Sequence, residues 1–319
     1  NNKRKLPWRN HLSKKQLQYF TLVSEFMLQQ TQVKTVIPYF NNFVKEIPSL
    51  KSLSNQNIKK ILKIWEGLGY YRRAKNLHKT AKIIVKKYKG KLPKKFDEIK
   101  KFPGIGKYTA NVLLAINYNQ SRIPFDGNVK RVFYRLFNTN PEKNEEKTKK
   151  IISKKFNTKR NADLAEALME FGAIICKPKS PSCNICHLKT NCFSFKNKVS
   201  FSTNKKTIRE EKKYNIYCYL KKKKKEIALT KNKNFGFLSN LNIPETKIAK
   251  SKDKKENGWI YLCNYKNNIS NIKMDINLFY KFINNKPDKF AWYYIDRPNN
   301  EFIPSFTKKI FKKIVKVYY

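Results

Sequence analysis

The chain has 319 residues, 40% of them hydrophobic, enough for two domains with buried cores. Lys and Arg number 71 against 22 Asp and Glu, a formal net charge of +49, which excludes an acidic carrier and favours a polyanionic partner, nucleic acid first. No apolar run approaches the ~18 residues of a membrane span. The opening NNKRKLPWRN has no apolar core, so no signal peptide is expected and six cysteines suggest metal ligands before disulfides.

Residues 12 to about 195 read as helices. Leu17, Phe20, Val23 and Met27 recur at helical spacing, as do Ile58, Ile61, Leu62 and Trp65, then Leu77, Ala81, Ile84 and Val85. Turns fall at Gly67/Gly69, Gly90–Pro93 and Pro103–Gly106. Residues 196–213 are polar and read as a linker. From Tyr214 the texture becomes that of strands: YNIYCYL, the lysine run 221–225 and EIALT form a hairpin signal. GWIYLCNY and KFAWYYI are further strands, and SFTKKIFKKIVKVYY is a closing basic helix. The organisation is a helical domain over 1–195, a linker over 196–213 and a strand-rich domain over 214–319. The fold class is α+β.

Four segments carry chemistry. In FPGIGKYTA (102–110), Gly104 and Gly106 permit a tight turn into a helix starting at about Lys107. Free amides at a helix start form an anion site. Asp126, in PFDGNVKRV, sits just before an apolar helix, as an N-cap does; the positive helix end there also favours a charged carboxylate. Glu25, in SEFMLQQTQV, has apolar neighbours on both sides; if buried, desolvation makes it an acid usable near neutral pH. Cys176, Cys183, Cys186 and Cys192 are spaced C-x6-C-x2-C-x5-C, a set that binds zinc or an iron–sulfur cluster.

The hairpin segment resembles a helix–hairpin–helix motif. With LPWR (6–9), SEFMLQQTQVKTVIPYF (24–40), WEGLGYYRRAKNLH (65–78), FDGNVKRV and ALMEFGAIIC (167–176), the chain resembles MutY-type adenine DNA glycosylases, related to endonuclease III. The resemblance covers nearly all of residues 6–195. It implies that Glu25 protonates N7 of adenine, that Asp126 stabilises the cationic sugar, and that Tyr108 and Asn128 orient these carboxylates. Trp8, Arg9, Leu28 and Glu170 match the adenine pocket, Gln30 and Tyr70 the residues that wedge into the duplex, and Gly104 and Gly106 the phosphate grip. Tyr108 stands where lyase-competent relatives carry a Schiff-base lysine, so a monofunctional enzyme is expected. The four cysteines match the [4Fe–4S] loop, spanning 176–192.

The strand-rich domain resembles the family's Nudix-like lesion-recognition domain, without the nucleotide-hydrolysis signature. Ser270, in Ile269-Ser270-Asn271, is the counterpart of a lesion-reading serine. The implied partner is double-stranded DNA with an A·8-oxoguanine or A·G mispair; the implied protein is a monomeric, cytoplasmic, nucleoid-associated bacterial enzyme with no membrane. The rivals are a glycosylase of the same fold for another mismatched base and a non-catalytic DNA-binding relative.

Overall fold

The computed structural model describes residues 4–10, 13–140, 142–156, 158–199, 210–233, 235–236, 238–249, 258–269, 272–297 and 301–319. Two compact units emerge: Asn1–Ile58 with Arg72–Lys205, and Lys59–Tyr71 with Lys206–Tyr319.

The helices run α1 (Lys14–Leu28), α2 (Val33–Glu46), α3 (Leu50–Asn55), α4 (Ile58–Ile64), α5 (Arg72–Tyr88), α6 (Phe96–Lys100), α7 (Lys107–Tyr118), α8 (Gly127–Phe137), α9 (Glu145–Lys155), α10 (Asn161–Ile174) and α11 (Phe193–Lys196). None in the described residues is long and apolar enough to cross a membrane. In the first unit α7 packs on α1 and α10, and α10 on α8. Val23, Phe26 and Met27 of α1 and Val112 to Ala115 of α7 are fully buried. A second apolar cluster joins Val129 and Phe133 of α8 to Leu168 of α10.

The C-terminus of α1 ends inside the protein, so its last carbonyls need donors. Arg73 supplies them. Its Nη1 donates to the carbonyls of Phe26 (3.2 Å), Met27 (2.5 Å) and Gln29 (2.5 Å). We expect Arg73→Ala to cost about 3 kcal/mol, because buried carbonyls lose their partner. Denaturant unfolding measures it; a change below about 0.5 kcal/mol would show that water replaces the guanidinium.

The second unit holds one seven-stranded sheet: β1 (Glu210–Lys221), β2 (Glu226–Lys231), β3 (Asn242–Ile243), β4 (Glu245–Ile248), β5 (Ile260–Ile269), β6 (Ile272–Phe282) and β7 (Ala291–Tyr294). Its order is β3-β2-β1-β6-β5, with β4 also on β1 and β7 on β2. The lysine run forms the β1–β2 turn, with Lys221 opposite Glu226. β1 begins at Glu210, four residues before the strand texture at Tyr214. The parallel partner of β1 is β6, which is not among the expected strands. Its signal is present: Ile272, Met274, Ile276 and Leu278 alternate with Lys273, Asp275 and Asn277.

One face of this sheet carries Tyr214, Ile216, Cys218, Leu220, Ile276 and Leu278 into a core closed by the basic helix α12 (Ser305–Ile314). Phe306, Ile310, Phe311 and Ile314 recur on one side of α12 and are buried there, each worth roughly 1.5–3 kcal/mol. The segment Lys59–Tyr71 belongs to this unit through Lys59–Glu301 (2.8 Å), the Lys308–Glu66 ion pair and the Tyr71 and Phe302 rings (4.7 Å). Ser270 lies outside the described residues.

Candidate active site

The first unit contains a cavity of about 670 Å³ whose walls include Glu25, Tyr108, Asp126 and Asn128. α1 places Glu25 there. From Tyr19 to Met27 every residue of this helix is buried, so no solvent face is left for the carboxyl, which is 6% exposed. Burial first, and then the Asp126 charge, push its pKa up to about 8; a hydrogen bond with the Tyr108 hydroxyl opposes the rise. That group is therefore a protonated acid at neutral pH.

Asp126 is the N-cap of α8. One carboxylate oxygen accepts the Val129 amide (2.7 Å) and the other the Asn128 amide group (3.0 Å). Asn128 is fixed in turn by Arg131, whose Nη2 donates to its Oδ1 (2.8 Å). Arg131 also donates to the Gly172 and Cys176 carbonyls (2.6 and 2.8 Å), locking α8 to α10. Close approach here requires glycine: a Cβ on Gly172 would lie 2.7 Å from the Asn128 Cβ. Tyr108, in the first turn of α7, reaches Glu25 and donates to the Met169 sulfur at 3.5 Å. Burial, then the two carboxylates, raise its pKa well above the usual phenol value, so it stays a neutral donor.

Trp8, Arg9, Leu28, Gln30 and Glu170 line the same cavity. Trp8 is buried with its ring edge-on to Phe40 at 5.5 Å. Glu170 is gripped by Arg4 through two bonds (2.7 and 2.8 Å) and by Arg9 (3.1 Å), while Arg9 also pairs with Glu166 (3.3 Å). Burial pushes the Glu170 carboxyl up, but bonds and charge from Arg4 and Arg9 outweigh it and hold it below the usual range. Arg4, Arg131, Glu166 and Met169 went unnoticed in the sequence. Only the spacing of Glu166 and Glu170 on one helix face carried any signal.

Three expected residues lie elsewhere. Gly104 and Gly106 form the hairpin before α7, whose amides have no side-chain cap. The two glycines differ, which corrects the reading that both serve the tight turn. Gly104 has φ +80°, and a Cβ there would strike Phe26 (2.8 Å) and Asn76 (2.9 Å). Gly106 has an ordinary φ and open space around it, so the turn does not need it. Tyr70 belongs to the second unit, 42% exposed, with φ +46°. Gln30 also has positive φ, +59°. Nine other described non-glycine residues, among them Lys89 and Lys198, also have positive φ, so this backbone does not by itself single these two out.

Cys176, Cys183, Cys186 and Cys192 line another cavity of about 670 Å³ in the first unit. All four are unbonded thiols. Burial, then its three neighbours Cys186, Cys176 and Cys192, push the Cys183 thiol up. Arg135 ties this loop to α8, donating to the Cys176 sulfur (3.5 Å) and the Lys177 and Pro178 carbonyls (2.6 and 2.9 Å). Among the described residues no three His, Cys, Asp or Glu are placed to hold a metal ion. What the four thiols share is the lining of that cavity.

The model of the HhH-GPD superfamily of base excision DNA repair proteins matches residues 23–158, which include Glu25, Tyr108 and Asp126. A thermostable thymine-DNA glycosylase superposes with a TM-score of 0.54 at 25% identity, covering 61% of this chain and 89% of that one. An endonuclease III in a non-covalent DNA complex gives 0.51 at 22%, over 62% and 90%. Fold and site together define a helix–hairpin–helix base excision repair enzyme. An adenine DNA glycosylase of Buchnera aphidicola subsp. Baizongia pistaciae is 36% identical over 343 aligned positions, 98% of this chain and 95% of that protein. The chain belongs to the adenine DNA glycosylase family.

Proposed function

We propose that the protein removes adenine paired with 8-oxoguanine, and with guanine, from double-stranded DNA, acting as a monomer and without cleaving the strand. The observation that carries this reading is the buried Glu25, held as an acid near neutral pH beside Asp126 and Tyr108 in one cavity. An adenine extruded from the duplex enters that cavity, with Arg4, Arg9 and Glu170 at its polar wall. Glu25 gives its proton to N7. The bond from C1′ to N9 breaks, and its electron pair leaves with the now neutral base. Asp126 faces the resulting oxocarbenium ion, stabilises its charge, and is steadied by Asn128. Water adds to C1′ and loses a proton, leaving an abasic site. Gln30 fills the gap left in the stack, Tyr70 wedges into the duplex, and the amides after Gly104 and Gly106 take a backbone phosphate. Ser270 reads the lesion.

No lysine amine occupies the Tyr108 position, so no Schiff base forms there. Borohydride should trap no enzyme–DNA adduct; efficient trapping would overturn the monofunctional reading.

The four cysteines would hold a [4Fe–4S] cluster. Four free thiols on the lining of one cavity, spaced C-x6-C-x2-C-x5-C, support this reading. When bound, the cluster ties the loop and its lysines into a DNA-docking surface and breaks no bond. We expect brown protein with about four irons per chain. Colourless protein with stoichiometric zinc would refute the assignment.

The function is tested by base release from duplexes carrying one A·8-oxoguanine, A·G, A·T or T·G pair. Release of adenine from the first two supports it. Release of thymine, or of nothing, would select one of the rival readings.

A further inference from the structure

The sheet of the second unit has two unlike faces. One packs on α12; the other carries rings and lysines. Strand register lines up Tyr217, Phe279 and Tyr261 across β1, β6 and β5, because Tyr217 and Tyr261 both pair with Phe279. The Tyr217 and Phe279 rings stack at 5.4 Å and 16°, and Tyr261 meets Phe279 edge-on at 5.6 Å. Trp259 stands edge-on to Tyr217 (4.9 Å) and to Tyr219 (4.8 Å). The row is graded in exposure: Tyr217 is buried, Phe279 and Trp259 are half-buried, and Tyr261 is 51% exposed.

Polar groups flank the rings. Two residues away along β1 and β6, and three along β5 where a register shift follows Tyr261, Asn215, Asn277 and Asn264 form a second row in register with Lys247. Their amides are linked, Asn277 donating to Asn215 (3.1 Å) and Asn264 to Asn277 (3.0 Å). Lys247 lies 4.8 Å from the Tyr217 ring centre, and Lys281, opposite Tyr219, lies on the other side of the row. Acids on the face are already engaged: Glu245 with Lys247 (3.4 Å) and Tyr219, Asp275 with Asn264, and Glu211 with Lys273 (2.5 Å). Residues 210–319 hold 25 Lys and Arg against ten Asp and Glu.

We infer that this face binds single-stranded nucleic acid by stacking unpaired bases on Tyr261 and the rings beside it. An aromatic row that reaches the surface at Tyr261, bordered by lysines, suits a strand whose bases are splayed out and whose phosphates are anionic. Duplex DNA cannot use the rings, because its bases are stacked on one another and present only groove edges and backbone. The face shares no residue with the cavity holding Glu25, so the inference does not depend on the base-release reading.

The test uses the full chain and a fluorescent, unstructured deoxythymidine 12-mer, with a 12-mer of abasic sites as the polyanion control. Wild type should bind the thymidine strand at least about fivefold more tightly than the abasic one, the effect of a single stacked base. Tyr261→Ala should abolish that preference and Tyr261→Phe should keep it. Lys222→Ala, at the exposed β1–β2 turn, should weaken both strands alike. Base release from a mispaired duplex should be unchanged in Tyr261→Ala, which also shows that the protein is folded. Equal binding of the two strands by wild type, or an intact preference in Tyr261→Ala, overturns the inference. So does wild-type self-association that Tyr261→Ala abolishes, which would make the face a contact between copies.

Discussion

Glu25→Gln should abolish base release while leaving duplex binding intact. Glutamine keeps the shape of the protonated acid and its place beside Tyr108 but has no proton to give N7. The lost step is worth on the order of 10²–10⁴-fold in rate. The same group sets the pH profile. With its pKa at about 8, Glu25 is the active acid below that pH, and single-turnover release should fall roughly tenfold per unit above it. Stability should move in the same direction. The unfolded chain gives up this proton near its ordinary 4.5, whereas the folded chain keeps it to about 8. The unfolded state thus binds fewer protons between these values, and stability declines as pH rises through the window. At pH 7 the accumulated penalty is about 3 kcal/mol. Glu25→Gln should remove it, melting higher than wild type at pH 7–8 and equally near pH 4.5. Near wild-type release by Glu25→Gln would show that the acid lies elsewhere.

Asp126→Asn should slow base release by about 10²-fold or more, roughly 3 kcal/mol of barrier. The carboxylate has two tasks, and this substitution separates them. Asparagine caps helices about as well as aspartate, so the bond to the Val129 amide and the start of α8 survive. What disappears is the negative charge facing the sugar. A melting temperature close to wild type, together with the slow rate, assigns the loss to electrostatics. A rate for Asp126→Asn within tenfold of wild type would mean that the oxocarbenium ion is stabilised by another group.

Local chemistry made much of the site legible in the sequence. Asp126 was readable as an N-cap because capping depends on a few consecutive residues, and α8 begins immediately after it. Gly104 and the start of α7 were readable for the same reason. The four cysteines were readable from spacing alone, and they line one cavity. The β1–β2 hairpin and α12 followed from alternation and from a helical apolar stripe.

The rest depends on groups far apart in the chain. Whether Glu25 is an acid or a solvated carboxylate turns on burial, and α1 is buried on all sides of its second half only because α2, α5 and α7 surround it. The grip of Arg4 and Arg9 on Glu170 spans more than 160 positions, and the Arg131 tie to Gly172 spans 41. No local pattern encodes such pairs. Tyr261 reads as an ordinary strand aromatic, and Phe279 falls in no expected strand, until β6 lies between β1 and β5 and sets one ring beside the next. The sequence by itself determined which residues can donate, cap or stack, and which carry thiols. Tertiary structure decided which are kept from water and which are brought together, because desolvation and charge pairing act through space.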